Sequence, residues 1–174
     1  YMMRFISTFQ KTKELINQSL IGDIRSFEGN MYISQLFKEG KGWRYDPILS
    51  GGGVVVHQTC HLLDLINWFL GFPNYIGAIT NNWFSPYVED HAHITLRYDN
   101  NLFGWLDSTW SRFNKRMLST RIYFEGEFGS ITVDDDSVKL FLTKNNNEFE
   151  KGWTTFSKVE LGNGVDIDFG APYY

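Results

Sequence analysis

The longest apolar run in the chain lies between residues 54 and 70, and its polar positions recur with helical spacing. Val54, Val55, Val56, Cys60, Leu62, Leu63, Leu65, Ile66, Phe69 and Leu70 cover most of a helical circumference, the pattern of a helix buried on several sides. His57, His61, Asp64 and Trp68 follow one another at steps of four, three and four, which places them on one face. Ser50 stands where an N-cap belongs, and Gly71 with Pro73 supplies a stop. The pattern predicts a helix over 51–70 carrying one polar stripe.

Elsewhere the period shortens to two. The segments 24–34, 75–84, 90–98, 101–110, 117–125, 129–133, 137–143 and 152–160 are rich in aromatic and β-branched residues. Asp99-Asn100-Asn101, Gly126, Asp134-Asp135-Asp136 and Asn145-Asn146-Asn147 separate several of them. A meander of hairpins after one strand-helix-strand crossover predicts an α+β fold: an open, mainly antiparallel β-sheet with helices packed on one face. Ala92, Ile94 and Leu96 point to one side of it, and His91, His93, Thr95 and Arg97 to the other. Arg121 and Tyr123 likewise alternate with Ile122 and Phe124, and Phe103 and Trp105 with Leu102, Gly104 and Leu106. One face is therefore polar but studded with large rings, which reads as an association surface or as a face left to solvent.

Composition narrows the function classes. At 174 residues, with 43% hydrophobic and 21% charged residues, the chain is one globular domain with a core of its own. A net charge of −4 offers no basic patch for nucleic acid. The 54–70 run is broken by two His and an Asp, so no membrane span is expected. A lone Cys60 in mid-helix fits a buried hydrophobe in a reduced, cytoplasmic protein.

Chemistry is concentrated around the predicted helix. His57 and His61 are either hydrogen-bonded core residues or a reactive pair on a buried face. Gly51, Gly52 and Gly53 are either a tight turn against a neighbouring strand or a close approach to a ligand. They are not a dinucleotide fingerprint, because position 56 is Val. Trp43, Arg44, Tyr45 and Asp46 precede the helix, where an aromatic plate suits a sugar ring and Arg an anion. A zinc site could be drawn from His57, His61, His91 and His93, but an i, i+4 pair is only half a site.

The strings Gly42-Trp43-Arg44-Tyr45-Asp46-Pro47, Ser50-Gly51-Gly52-Gly53 and His61-Leu62-Leu63-Asp64 resemble the C-terminal domain of the glucose-fructose oxidoreductase, inositol dehydrogenase and MocA family. Lys13-Glu14-Leu15-Ile16, Ile21-Gly22-Asp23-Ile24, Val88-Glu89-Asp90 and Glu125-Gly126-Glu127-Phe128-Gly129-Ser130-Ile131 extend the resemblance over nearly the whole chain. It implies that residues 1–174 are a substrate-binding and oligomerisation domain acting on a hydroxyl of a sugar, cyclitol or related polyol. His61 takes the acid/base role, and His57 stands where the family usually has Asp. The resemblance and the stripe together put Trp43, Arg44, Asp46, Gly52, Gly53 and Asp64 at the substrate.

The family's Gly-rich loop and catalytic Glu-Lys-Pro motif do not occur in these residues. The expectation is that NAD or NADP is held mainly by an N-terminal Rossmann domain outside this chain, and that the chain alone binds neither and is inactive. Tyr1 before Met2 and Met3, and Ala171-Pro172-Tyr173-Tyr174, read as cuts from a longer protein. A homo-oligomer through the open sheet face is also expected. The alternatives are a non-catalytic carbohydrate-binding or oligomerisation domain, and the His-based metal site.

Overall fold

The computed structural model describes residues 1–34 and 42–162; the C-terminal Ala171–Tyr174 string lies outside them. After a 3-10 turn at Met2–Phe5 and helix α1 (Ser7–Asn17), strand β1 (Ile24–Tyr32) opens the sheet. A crossover follows through a 3-10 turn (Trp43–Tyr45), helix α2 (Pro47–Ser50), a π-helical turn (Val55–Thr59) and helix α3 (Cys60–Leu70). Strands β2 (Tyr75–Asn81), β3 (His91–Arg97), β4 (Phe103–Thr109), β5 (Ser119–Gly126), β6 (Gly129–Asp134), β7 (Ser137–Leu142) and β8 (Gly152–Ser157) complete one eight-stranded sheet. Its order is β2-β3-β4-β1-β5-β6-β7-β8. Among the described strands only the β1–β4 pair is parallel, running from Ser26 against Phe103 to Tyr32 against Thr109. The fold is the expected α+β arrangement, and each expected strand is found with ends shifted by a few residues.

The helices cover one face. Phe27, Met31, Ile94, Leu96, Leu106, Ile122 and Phe124 from the strands meet Leu62, Leu65, Ile66 and Phe69 of α3 and Phe9 and Leu15 of α1 in one buried core. Each large apolar side chain so buried stabilises the fold by about 1.5–3 kcal/mol. A smaller cluster of Val54, Val88, Ala92 and Trp110 closes the end of the sheet where the crossover helix begins. No helix among the described residues is long and apolar enough to cross a membrane.

The helix expected over 51–70 begins only at Val54, after a turn at 51–53 that separates it from the short α2. Asp46, not Ser50, is the first cap: its carboxylate accepts from the Ile48 and Leu49 amides at 2.9 and 3.3 Å, and Pro47 sits at the first helical position. Gly51, at φ +75°, ends α2 in the left-handed conformation. The second helix draws its cap from far along the chain. The Val54 amide donates to the Glu89 carbonyl at 2.8 Å, and the Val55 amide to a Glu89 carboxylate oxygen at 3.1 Å. Glu89 therefore satisfies N–H groups that the first turn leaves unpaired.

The first turn is π-helical, and the wider winding turns Gln58 and Thr59 inward together. The Gln58 amide donates to the Met31 carbonyl (2.6 Å), the Ser108 hydroxyl (3.2 Å) and the Thr109 carbonyl (3.4 Å), pinning the turn to the ends of β1 and β4. The Thr59 hydroxyl donates to the Val54 carbonyl at 3.1 Å.

A Cβ on Gly53 would lie 1.9 Å from the Glu89 carbonyl oxygen, whereas one on Gly77, in edge strand β2, would meet nothing within 4 Å. Gly53→Ala should therefore cost about 1–3 kcal/mol by forcing the cap apart, lowering the melting midpoint by roughly 2–12 °C. Gly77→Ala should stay within about 0.5 kcal/mol of the parent. Paired thermal melts check this, and equal midpoints would show that the helix entrance tolerates a shift.

Candidate functional site

His57 projects from the π-helical turn into an aromatic slot. Trp110, just past β4, stacks on its imidazole at 6.0 Å between centroids, and Trp43 meets it edge-on at 5.4 Å. The Arg44 guanidinium lies over the Trp43 ring at 5.5 Å. His57 Nε2 is buried and has no hydrogen-bond partner among the described residues.

His61 follows in the first turn of α3, with the Tyr1 ring edge-on at 5.4 Å. Its Nδ1 is also buried without a partner among the described residues. Burial pushes the imidazole below its ordinary range, and Asp64 works against that. His61 is therefore held neutral, with one ring nitrogen able to accept a proton. Asp64, on the same face, is closed upon by Arg4 through two hydrogen bonds, Nε to Oδ2 at 2.8 Å and Nη2 to Oδ1 at 2.5 Å. Arg4 also lies over the Trp68 ring at 5.9 Å.

The polar stripe is thus present but divided. His61, Asp64 and Trp68 face the N-terminal segment, while the π-helical turn directs His57 toward Trp43 and Trp110. Three residues expected at the substrate have structural partners within the domain: the Asp46 carboxylate caps α2, the Asp64 carboxylate holds Arg4, and Gly53 packs on the Glu89 backbone. Trp43 stays beside His57, with Arg44 over its ring. A cleft of about 230 Å³ lies on the glycine turn, lined by residues including Gly51, Gly52, Asn82, Tyr87 and Glu89. It touches neither histidine.

The four-histidine alternative fails on the geometry of the sheet. His91 and His93 alternate with buried Ala92 and Ile94, so they face away from the helices that carry His57 and His61. There they converge on Asp107, His91 Nε2 at 3.1 Å and His93 Nδ1 at 3.3 Å from one oxygen, while the Tyr32 hydroxyl donates to the other at 2.8 Å. No group of three or more His, Cys, Asp or Glu among the described residues is arranged to hold a metal.

Arg4, Gln58, Glu89 and Trp110 were not singled out from the sequence. Each acts on a partner distant along the chain; only the Glu89-containing string offered a signal, as part of the resemblance.

Residues 9–132 match the family model described as the GFO/IDH/MocA C-terminal domain. A 70-residue segment is 27% identical to glucose-fructose oxidoreductase domain-containing protein 2 of Homo sapiens, covering 40% of this chain and 18% of that protein. Among solved structures, levoglucosan dehydrogenase in complex with NADH and levoglucosan superposes with a TM-score of 0.79 at 18% identity, over 89% of this chain and 45% of that one. An oxidoreductase domain protein from Kribbella flavida gives 0.79 at 17% identity, over 93% and 47%. The chain thus spans less than half the length of these structural relatives, and at such identities they speak for the fold. With the family model covering most of its residues, this chain belongs to the GFO/IDH/MocA family and carries that family's C-terminal domain.

Proposed function

We propose that this chain is the substrate-binding domain of a nicotinamide-dependent oxidoreductase acting on a hydroxyl of a sugar, cyclitol or related polyol, with His61 as acid/base. The observation that carries the reading is the pair of buried, unpartnered ring nitrogens on His57 and His61. A buried polar atom without a partner costs about 1–3 kcal/mol, so two on successive turns of the crossover helix favour a site that a ligand's hydroxyls complete. The relative solved with levoglucosan and NADH supports a sugar and a nicotinamide.

In the proposed reaction the substrate C–H bond breaks and its electron pair leaves as hydride. The hydroxyl O–H bond breaks too, its proton passing to a neutral His61 nitrogen, and the carbon becomes a carbonyl. A nicotinamide held by another domain of the full-length protein would supply the hydride acceptor. His57, at the position where the family usually carries Asp, offers a hydrogen bond rather than a negative charge. Trp43 and Arg44 form the aromatic and cationic wall of the same site.

The residues here do not fit the dinucleotide's phosphates. Glu89 places a carboxylate on the helix entrance that would otherwise receive them. Calorimetric titration of the 174-residue chain with NADH or NADPH should accordingly show no binding. A Kd in the low micromolar range, about −8 kcal/mol, would overturn that assignment.

In a protein that joins this domain to a nucleotide-binding domain, His61→Ala should lower kcat by about 10²–10⁴-fold, with an unchanged circular dichroism spectrum. Because burial depresses the His61 titration, the base stays unprotonated below the ordinary imidazole range. The acid limb of kcat/KM should therefore lie on the acid side of that range. Full turnover in His61→Ala would remove the acid/base role and leave a non-catalytic binding domain.

The exposed rings of the open face, Phe103, Trp105 and Trp153 among them, favour self-association through the sheet. Light scattering should give a dimer or larger species, and Phe103→Lys with Trp105→Lys should yield monomers. A parent chain monomeric at high concentration would discard the interface.

A further inference from the structure

Asp64 lies one turn beyond His61 on the same face of α3, and its side chain is 11% exposed. The two-pronged Arg4 contact fixes both carboxylate oxygens, which a single point charge would not do. Met3, beside Arg4, is buried in the core at 2% exposure, so the N-terminal turn is anchored to α3 by an apolar and an ionic contact together. The Tyr1 ring at the head of that turn meets His61. Among the described residues the charged side chains at this spot are Asp64, from the same helix as His61, and Arg4, paired to Asp64 from the N-terminal segment. His57 stands one turn earlier on the helix.

We propose that Arg4 and Asp64 act together as a positioning pair for His61, holding the N-terminal turn against the imidazole and cancelling each other's charge beside it. The proposal rests on the reading of His61 as the acid/base group, and it gives Asp64 a role different from substrate contact. With both partners present, the carboxylate's attraction for an imidazolium is offset by the guanidinium. Burial then decides the protonation state, and the ring is left neutral, the form that can take a proton from a hydroxyl. With one partner missing, the other becomes an unbalanced charge next to a half-buried ring.

The two halves of the pair therefore act in opposite directions. Asp64→Asn leaves the Arg4 cation unopposed and moves the His61 titration to lower pH. Arg4→Gln leaves the carboxylate unopposed and moves it to higher pH. A pair that serves only to fasten the N-terminal turn behaves differently: breaking it from either side exposes His61 to water, and both variants move the titration up toward the ordinary imidazole range.

The experiment is an NMR titration of the His61 ring resonances in the 174-residue chain, assigned by their loss in His61→Gln. Acetylation of Tyr1 removes the terminal ammonium from the comparison. The expected result is a downward displacement in Asp64→Asn, an upward one in Arg4→Gln, and a midpoint near the parent's in Arg4→Lys, which keeps the charge but not the fork. Displacement of Asp64→Asn and Arg4→Gln in the same direction, or of neither, overturns the proposal. Where Asp64→Asn fails to fold, Arg4→Gln against Arg4→Lys carries the test: equal midpoints overturn it. Failure of the acid/base reading is separately visible, as full turnover in His61→Ala with the opposed titrations intact.

Discussion

Two backbone N–H groups, on Val54 and Val55, organise much of this domain through the single residue that accepts from them. Glu89 takes one with its carbonyl and the other with its carboxylate, and it comes close enough only because Gly53 has no side chain. The next residue extends the tie. The buried Asp90 carboxylate accepts from the Trp83, Phe84 and Ser85 amides, which shapes the loop between β2 and β3. Its carbonyl accepts from the Trp110 amide, and Trp110 is the ring on which His57 stacks. The start of the crossover helix, the loop that caps it and the wall of the histidine slot thus stand or fall together.

Alternation within each strand was readable because it is local: Ile94 and Leu96 face in while Thr95 and Arg97 face out, and Asn or Asp clusters mark the turns. The helical stripe was readable for the same reason, and His61, Asp64 and Trp68 do share a side of α3. The helix entrance was not. A capping rule that looks at neighbours selects Ser50, whereas the cap that operates comes from Glu89, 34 positions away. The π-helical turn escapes a count of 3.6 residues per turn, so His57 is aimed at Trp110 rather than in line with His61. The Arg4 partner of Asp64 is 60 positions distant, beyond any spacing argument, and a carboxylate that local reading assigns to substrate turns out to be engaged by protein. Family resemblance supplied what periodicity could not, the expected identity of the domain. It did so through strings whose packing reasons, such as Gly53 against Glu89, become visible only in three dimensions.

The sheet separates two histidine chemistries. On the helix side, His61 is kept neutral by burial beside a balanced ion pair. On the open side, His91 and His93 share an oxygen of Asp107, and Tyr32 closes the network, with its hydroxyl pushed far above its ordinary range by burial and by that carboxylate. Trp83 lies against His91 at 4.7 Å. The open face therefore gathers linked polar groups among large rings, with His91 Nδ1 left without a partner among the described residues, as befits a surface that remains compatible with both water and a partner.

The place of β1 bears on how this domain comes to exist at all. It precedes the other seven strands of the sheet in sequence, yet it sits inside the sheet, parallel to β4 and antiparallel to β5. Neither neighbour is adjacent in sequence, so the sheet cannot zip from one hairpin to the next through its middle. On a ribosome adding ~5–20 residues per second, β1 emerges about 4–15 s before the residues that pair with it. Its Phe27 and Met31, fully buried at the end, spend that interval without their strand partners. Closing the β1–β4 and β1–β5 ladders brings together distant parts of the chain, the kind of topology that folds slowly. The later strands β5 to β8 follow one another by short connections, and they form the half of the sheet that assembles from local contacts.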